Sequence, residues 1–212
     1  MLDRWSRFAP FTGVAFVVLL VIGIVSSHTS PNANSTGVHV ISFYTDHKSG
    51  QETGDIVFGF GIACFIFFIA ALYGYLRQAA AAQTLALLGL IGAVLFSVGI
   101  LLFSGIDYSL AYGSHSLAPS AAQALNVLDN QLFLPLFVGG IVFAIGTGLA
   151  IVRSGLLPAW LGWAMVILGI ASGTPAFFVG IIGLAIWVLV VSVLVYQRSG
   201  QPTTGEAVAA VA

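Results

Sequence analysis

The 212 residues are 59% apolar by type, have a mean hydropathy of +1.07, and include only 6 basic and 7 acidic side chains. A soluble domain is about 45–50% apolar and about 25% charged, so a chain built to face water is excluded. High apolar content also excludes disorder and collagen, and a net charge of −1 leaves no basic field for nucleic acid. The expectation is an all-α polytopic helical bundle whose solvent is the lipid bilayer.

In chain order, the first apolar stretch runs from Phe8 to Val25. Its basic start and the sequence Val25-Ser26-Ser27 resemble a signal peptide, read here as an uncleaved signal anchor. The second stretch runs from Ile56 to Leu76, the third from Leu85 to Ile106 and the fourth from Leu132 to Val152. The block from Leu156 to Tyr196 is too long for one span and breaks at Ser172-Gly173-Thr174-Pro175. A short fifth span and a sixth from Pro175 to Tyr196 result. Residues 1–196 then form one six-helix transmembrane domain, and the small, polar 197–212 segment is expected to be a disordered tail.

Six spans place both termini on one side. Arg4, Arg7, Arg77, Arg153 and Arg198 share that side and Lys48 lies opposite, so both termini are expected in the cytoplasm. Trp5, Tyr73, Tyr75, Trp160, Trp163 and Tyr196 fall near the inner boundary, and Tyr44, Tyr108 and Tyr112 near the outer one, as interfacial anchors. Two long outer connections follow, about 26–55 and 107–130. Within the first, Val38, Ile41 and Tyr44 recur at helical spacing, with Val40 and Phe43 beside them, as in an amphipathic helix lying on the bundle. Alternation of Val38, Val40 and Ser42 keeps a strand open.

The chemistry-bearing residues gather outside. His28, His39, His47 and His115 lie there, as do Asp46, Glu52, Asp55, Asp107 and Asp129. Imidazole with carboxylate is a ligand set for zinc, copper or nickel, which makes a divalent metal at the outer face a candidate cofactor. However, no His-x-x-x-His pair occurs, and His39 and His47 are about 12 Å apart along any one helix. A better local signal opens the fourth span. Pro119 suits a first helical turn, and no breaker follows until Pro135. A continuous helix from Pro119 to Val152 would carry Gln123, Asn126 and Asn130 on one face, flanked by Asp129 and Gln131, with a kink at Pro135 freeing the carbonyl of Gln131. Asp55 and Asp107 meet the membrane at the same height. The ligand-binding candidates are therefore Asp55, Asp107, Asn126, Asp129, Asn130 and Gln131.

The apolar cores hold no Asp, Glu, Lys, Arg or His, which argues against proton pumps, ion-coupled transporters and voltage sensors. There is no Gly-x-Ser-x-Gly elbow, His-Glu-x-x-His pair or phosphate loop. Cys64, the one cysteine, sits in an apolar run and reads as a small buried hydrophobe. Ala144-x-x-x-Gly148 and Gly169-x-x-x-Gly173 read as small-residue packing pairs.

Two segments carry a resemblance: Phe43-Tyr44-Thr45-Asp46-His47-Lys48 before the second span, and Leu157-Pro158-Ala159-Trp160-Leu161-Gly162-Trp163 at the start of the fifth. Together they resemble uncharacterised six-span integral membrane proteins of actinobacteria. The resemblance implies a bacterial plasma-membrane bundle, assigns no activity, and singles out Tyr44 and Asp46 at the outer surface.

Three functions are open at this point. The first is an outward-facing polar site that binds or translocates a cation or small polar solute. The second is a structural or accessory subunit, docked to a partner membrane protein or to further copies of itself. The third is a metal-dependent enzyme at the outer face, although an enzyme is the less expected outcome.

Overall fold

The structure is a computed structural model that describes residues 8–171 and 177–199. Arg4, Trp5, Arg7, the expected turn at 172–175 and the tail from residue 200 lie outside the described residues. The described chain is helical without strands. In chain order the helices are α1 (Phe11–Ser26), α2 (Gly37–Asp46), α3 (Lys48–Leu76), α4 (Gln83–Gly113), α5 (Pro119–Gln131), α6 (Leu134–Ser154), α7 (Ala159–Ala171) and α8 (Phe177–Ser199), with a single 3₁₀ turn at Ala80–Ala82 before α4.

Among the described residues four segments, not six, are long and apolar enough to cross a membrane: Lys48–Leu76, Ala80–Gly113, Pro119–Ser154 and Gly180–Arg198. The first and fifth expected spans correspond to shorter apolar helices, Phe11–Ser26 and Ala159–Ala171. At 1.5 Å per residue the 16-residue α1 and the 13-residue α7 rise about 24 and 20 Å, short of a hydrocarbon layer about 30 Å thick. Large apolar side chains nevertheless face outward around the bundle. Phe60 is 65% exposed and Ile167 64% exposed, a surface suited to lipid rather than water.

The helices pack through small residues, because close backbone approach supplies the dispersion that lipid tails cannot. The α4–α6 seam is the clearest case. A Cβ on Gly92 would overlap the backbone at Phe143, one on Gly139 the backbone at Phe96, and one on Gly99 would stand 2.6 Å from the Leu136 nitrogen. The expected small-residue pairs also meet neighbours, since Gly169 faces Ala144 and Gly148 faces Gly162 and Val166 across the α6–α7 contact. Beneath, Phe65 and Phe143 cross edge-to-face at 5.6 Å between ring centres, and Phe143 meets Trp187 at 6.3 Å. The buried indole of Trp187 donates to the carbonyl of Leu161 at 2.9 Å, so its own N–H is satisfied. Cys64 is half-buried against the same cluster.

One end of the bundle is held by the Leu156 carbonyl, which accepts from the Tyr75 hydroxyl at 3.2 Å and from the Arg198 guanidinium. Just before it, Gly155 ends α6 in the left-handed conformation (φ 65°) that favours glycine. At the opposite end α2 lies across the bundle as a helix, which removes the strand alternative. Its buried residues are Val40 and Tyr44, packed on Leu110, Ala111 and Ala122, while Val38 points out at 67% exposure. The helix was expected with Val38, Ile41 and Tyr44 inward and Val40 and Phe43 beside them; Val40, Ile41, Phe43 and Tyr44 pack on the cluster, and Val38 alone of the five turns out. Gly37 lets this helix touch down, since a Cβ there would overlap the Pro119 carbonyl.

Candidate functional site

Pro119 stands in the first turn of α5, as its fixed φ and missing N–H favour. The helix does not continue as a kinked rod to Val152. It stops at Gln131, and α6 begins at Leu134 with Pro135 in its first turn. Proline removes one hydrogen bond and crowds the preceding turn, and here the chain answers with a full break at Leu132–Phe133. The short α5 is thus free to lean against α2 and the 27–36 connector. Its buried face is Ala122, Asn126 and Asp129.

Asp107, 5% exposed near the end of α4, is the centre of a hydrogen-bond network. Its Oδ1 accepts from the Tyr44 hydroxyl and from the Ser30 hydroxyl at 3.2 Å. Its Oδ2 accepts from the Gln51 amide nitrogen at 3.1 Å. The backbone N–H of His28 donates to the Gln51 carbonyl at 2.7 Å, which fixes which end of that amide faces Asp107. The Gln51 amide also donates to Ser30 at 3.5 Å. Tyr44 is fully buried here rather than anchored at an interface. Burial, then the charge of Asp107 and the hydrogen bond to it, push its phenol well above the ordinary tyrosine range.

Two further carboxylates lie within electrostatic reach of Asp107 and of each other. Asp129 is 3% exposed and Asp55 is half-buried. Neither has a lysine or arginine partner, because the ion pair among the described residues is Lys48 with Glu52 at 3.7 Å. Buried oxygens of both, Asp55 Oδ2 and Asp129 Oδ1, accept no hydrogen bond, and neither does Asn126 Oδ1. The Asn126 side chain is wholly buried, with its nitrogen donating to the Asn32 carbonyl at 2.8 Å. Unpaired buried acceptors are costly and rare in folded proteins.

The structure therefore brings together Asp55, Asp107, Asn126 and Asp129. Asn130 is an exposed brace, donating to the carbonyls of Pro31 at 3.1 Å and Asn126 at 2.8 Å. Gln131 and Gln123 are exposed, off the buried face that Ala122, Asn126 and Asp129 define. Compared with known protein families, curated proteins and solved structures, the chain matches none.

The histidines do not assemble. His39 and His115 are exposed. His28 and His47 are neighbours, with ring centres 4.4 Å apart, and Nδ1 of His47 donates to the Phe43 carbonyl at 2.9 Å. Among the described residues no three of His, Cys, Asp or Glu close on a point that a metal ion would occupy. Asp46 is exposed and accepts only from Ser42, one turn earlier on the same helix, at 3.4 Å.

Sequence reasoning missed Ser30, Asn32 and Gln51. A usable signal existed for Gln51, which precedes Asp55 by four residues and so shares its helix face. Ser30 and Asn32 sit in an irregular connector where no periodicity places a side chain.

Proposed function

We propose that this protein is an integral membrane protein whose polar end faces outward and binds a cation or small polar solute at Asp55, Asp107 and Asp129. The observation that carries this reading is the set of buried, unpartnered oxygens around Asp107. Keeping uncompensated acid and amide oxygens in a buried site is destabilising, and such sites are retained where a ligand completes them. The arginine distribution supports cytoplasmic termini, with α1 and α7 as short crossings that complete six spans in a bacterial plasma membrane. The resemblance to uncharacterised actinobacterial membrane proteins belongs to the same proposal.

Binding has more support than permeation. The cavity of about 100 Å³ deeper in the bundle is lined by apolar side chains, including Phe96, Phe133, Phe137, Phe143 and Met165. That lining offers a charged solute no polar side chain.

A thermal-stability screen of the purified protein against salts and small polar solutes tests the proposal, because a ligand of the folded state raises its melting temperature. A hit lost in Asp107→Asn and Asp129→Asn supports the site. A screen without hits, or a hit that survives both changes, rejects it in favour of an accessory subunit. The metal-dependent enzyme draws no support from the arrangement of the histidines.

A further inference from the structure

We infer that the ligand of this site is a donor-rich organic cation, a primary ammonium or guanidinium group carried on a small solute. The inference rests on the acidic-site reading above and names its ligand class.

The donors of the site are already engaged. Tyr44 and Ser30 hydroxyls donate to Asp107, the Gln51 amide donates to Asp107 and Ser30, and the Asn126 amide donates to Asn32. What remains unmet is acceptor only: Asp55 Oδ2, Asn126 Oδ1 and Asp129 Oδ1. An anion, or a solute that presents only carbonyl oxygens, adds acceptors to acceptors. The ligand must bring several N–H or O–H groups, and a positive charge on it would pair with carboxylates to which no described lysine or arginine is bound.

Shape separates an organic cation from a metal ion. Calcium gathers 6–8 oxygens at about 2.3–2.6 Å and magnesium demands a tighter octahedron. The carboxylates here do not close on one such point, although each lies within electrostatic reach of the others. A guanidinium spreads five N–H donors over a planar fork and an ammonium directs three. Either can reach oxygens that stand too far apart to share one ion. Asn126 supplies an independent indication. It is a neutral amide, fully buried one turn before Asp129, and it presents a free carbonyl oxygen rather than a charge. A carbonyl beside carboxylates suits the mixed N–H donors of an organic cation.

The test is a thermal-shift and calorimetric titration of the full chain in detergent. The probes are methylguanidinium chloride and n-butylammonium chloride, set against calcium, magnesium and potassium chlorides at matched ionic strength. Saturable stabilisation by either organic cation is expected, with affinity at least about tenfold weaker in Asp129→Asn, the loss of one charge-assisted hydrogen bond. The half-buried position makes Asp55→Asn the second variant, with the same direction expected should Asp129→Asn fail to fold. Stabilisation by calcium or magnesium alone overturns the ligand class and leaves the acidic site standing. Stabilisation by no probe rejects both. An organic-cation effect of undiminished affinity in every folded variant places binding elsewhere and overturns the inference.

Discussion

The phenol of Tyr44 donates to the carboxylate of Asp107, joining helix α2 to the end of α4 across 63 residues of chain. This bond makes α2 part of the bundle rather than a loop resting on it. Tyr44→Phe keeps the ring packing on Leu110 and Ala122 but leaves Asp107 Oδ1 with Ser30 as its remaining donor. Loss of a hydrogen bond to a charged, buried group costs about 1–3 kcal/mol. The expected outcome is a lower melting temperature with the helix content of the folded protein unchanged by circular dichroism.

The same tyrosine gives a pH dependence. Burial and Asp107 raise its pKa in the folded state above its ordinary value of about 10. Between those two values the unfolded chain has released a proton that the folded chain still holds. The stabilisation is therefore complete below about pH 10 and declines as the pH rises further. Thermal melts of the wild type should fall on this alkaline limb, and Tyr44→Phe should fall less steeply. Equal slopes in both proteins would contradict this assignment.

The connector over the site hangs on Gln51, which accepts from the His28 backbone and donates to Ser30 and Asp107. In Gln51→Ala all three attachments vanish together. Hydrogen exchange at the His28 amide should accelerate by about tenfold or more, the equivalent of losing one net hydrogen bond of about 1.4 kcal/mol. Exchange in the α4–α6 seam should not change.

That seam offers a matched pair of glycines. Gly92→Ala places a methyl group against the Phe143 backbone, which cannot swing aside as a side chain can. Overpacking of this kind costs about 1–3 kcal/mol. Gly105, on the same helix, has open space where its Cβ would be. Gly105→Ala should be neutral or slightly stabilising, because alanine is the better helix former by about 1 kcal/mol. Melting temperatures in detergent separate the two.

The apolar stretches were legible because composition and length decide them, and the second, third, fourth and sixth correspond to segments that reach membrane length. The first and fifth stretches fell short for a reason that hydropathy does not carry. Hydropathy marks where a segment is apolar, whereas Pro10, before α1, and Pro158, before α7, help set where a helix starts. The acidic site was legible in part. Asp55, Asp107 and Asp129 share a height that follows from span boundaries alone, and Asn126 follows from the α5 face. Asn130 and Gln131 were misplaced because the buried face of α5 runs through Ala122, Asn126 and Asp129, and residues 130 and 131 lie round the helix from it. The histidines were expected as a group only because all four fall in connections expected on one side of the membrane, and sharing a side is not proximity.

Orientation is tested by labelling. On a Cys64→Ala background, cysteines at Ser35 and Ser120 should react with a membrane-impermeant maleimide applied to intact cells, and a cysteine at Ala80 should not. Ser120 and Ala80 are exposed in the structure, so protection of Ala80 reports the membrane rather than burial. Labelling of Ala80 from outside would invert the topology and turn the acidic cluster toward the cytoplasm.

Asp107 and Asp129 are both buried acids on the same electrostatic cluster, yet opposite stabilities are expected of their amides. The Asp107 carboxylate accepts from Tyr44, Ser30 and Gln51, all donors. Asp107→Asn replaces one accepting oxygen with an NH₂ group aimed at a donor, and the Gln51 amide cannot flip to compensate because its carbonyl is held by His28. A loss of about 1–3 kcal/mol is expected. Asp129 Oδ1 accepts nothing, so Asp129→Asn removes a negative charge from beside Asp55 and Asp107 and breaks no bond to that oxygen. The ligand-free melting temperature should stay the same or rise. A residue whose removal stabilises the empty protein is held in place by function rather than by folding. If Asp129→Asn instead destabilises as strongly as Asp107→Asn, then Asp129 is a structural acid, and the binding site loses its deepest contact.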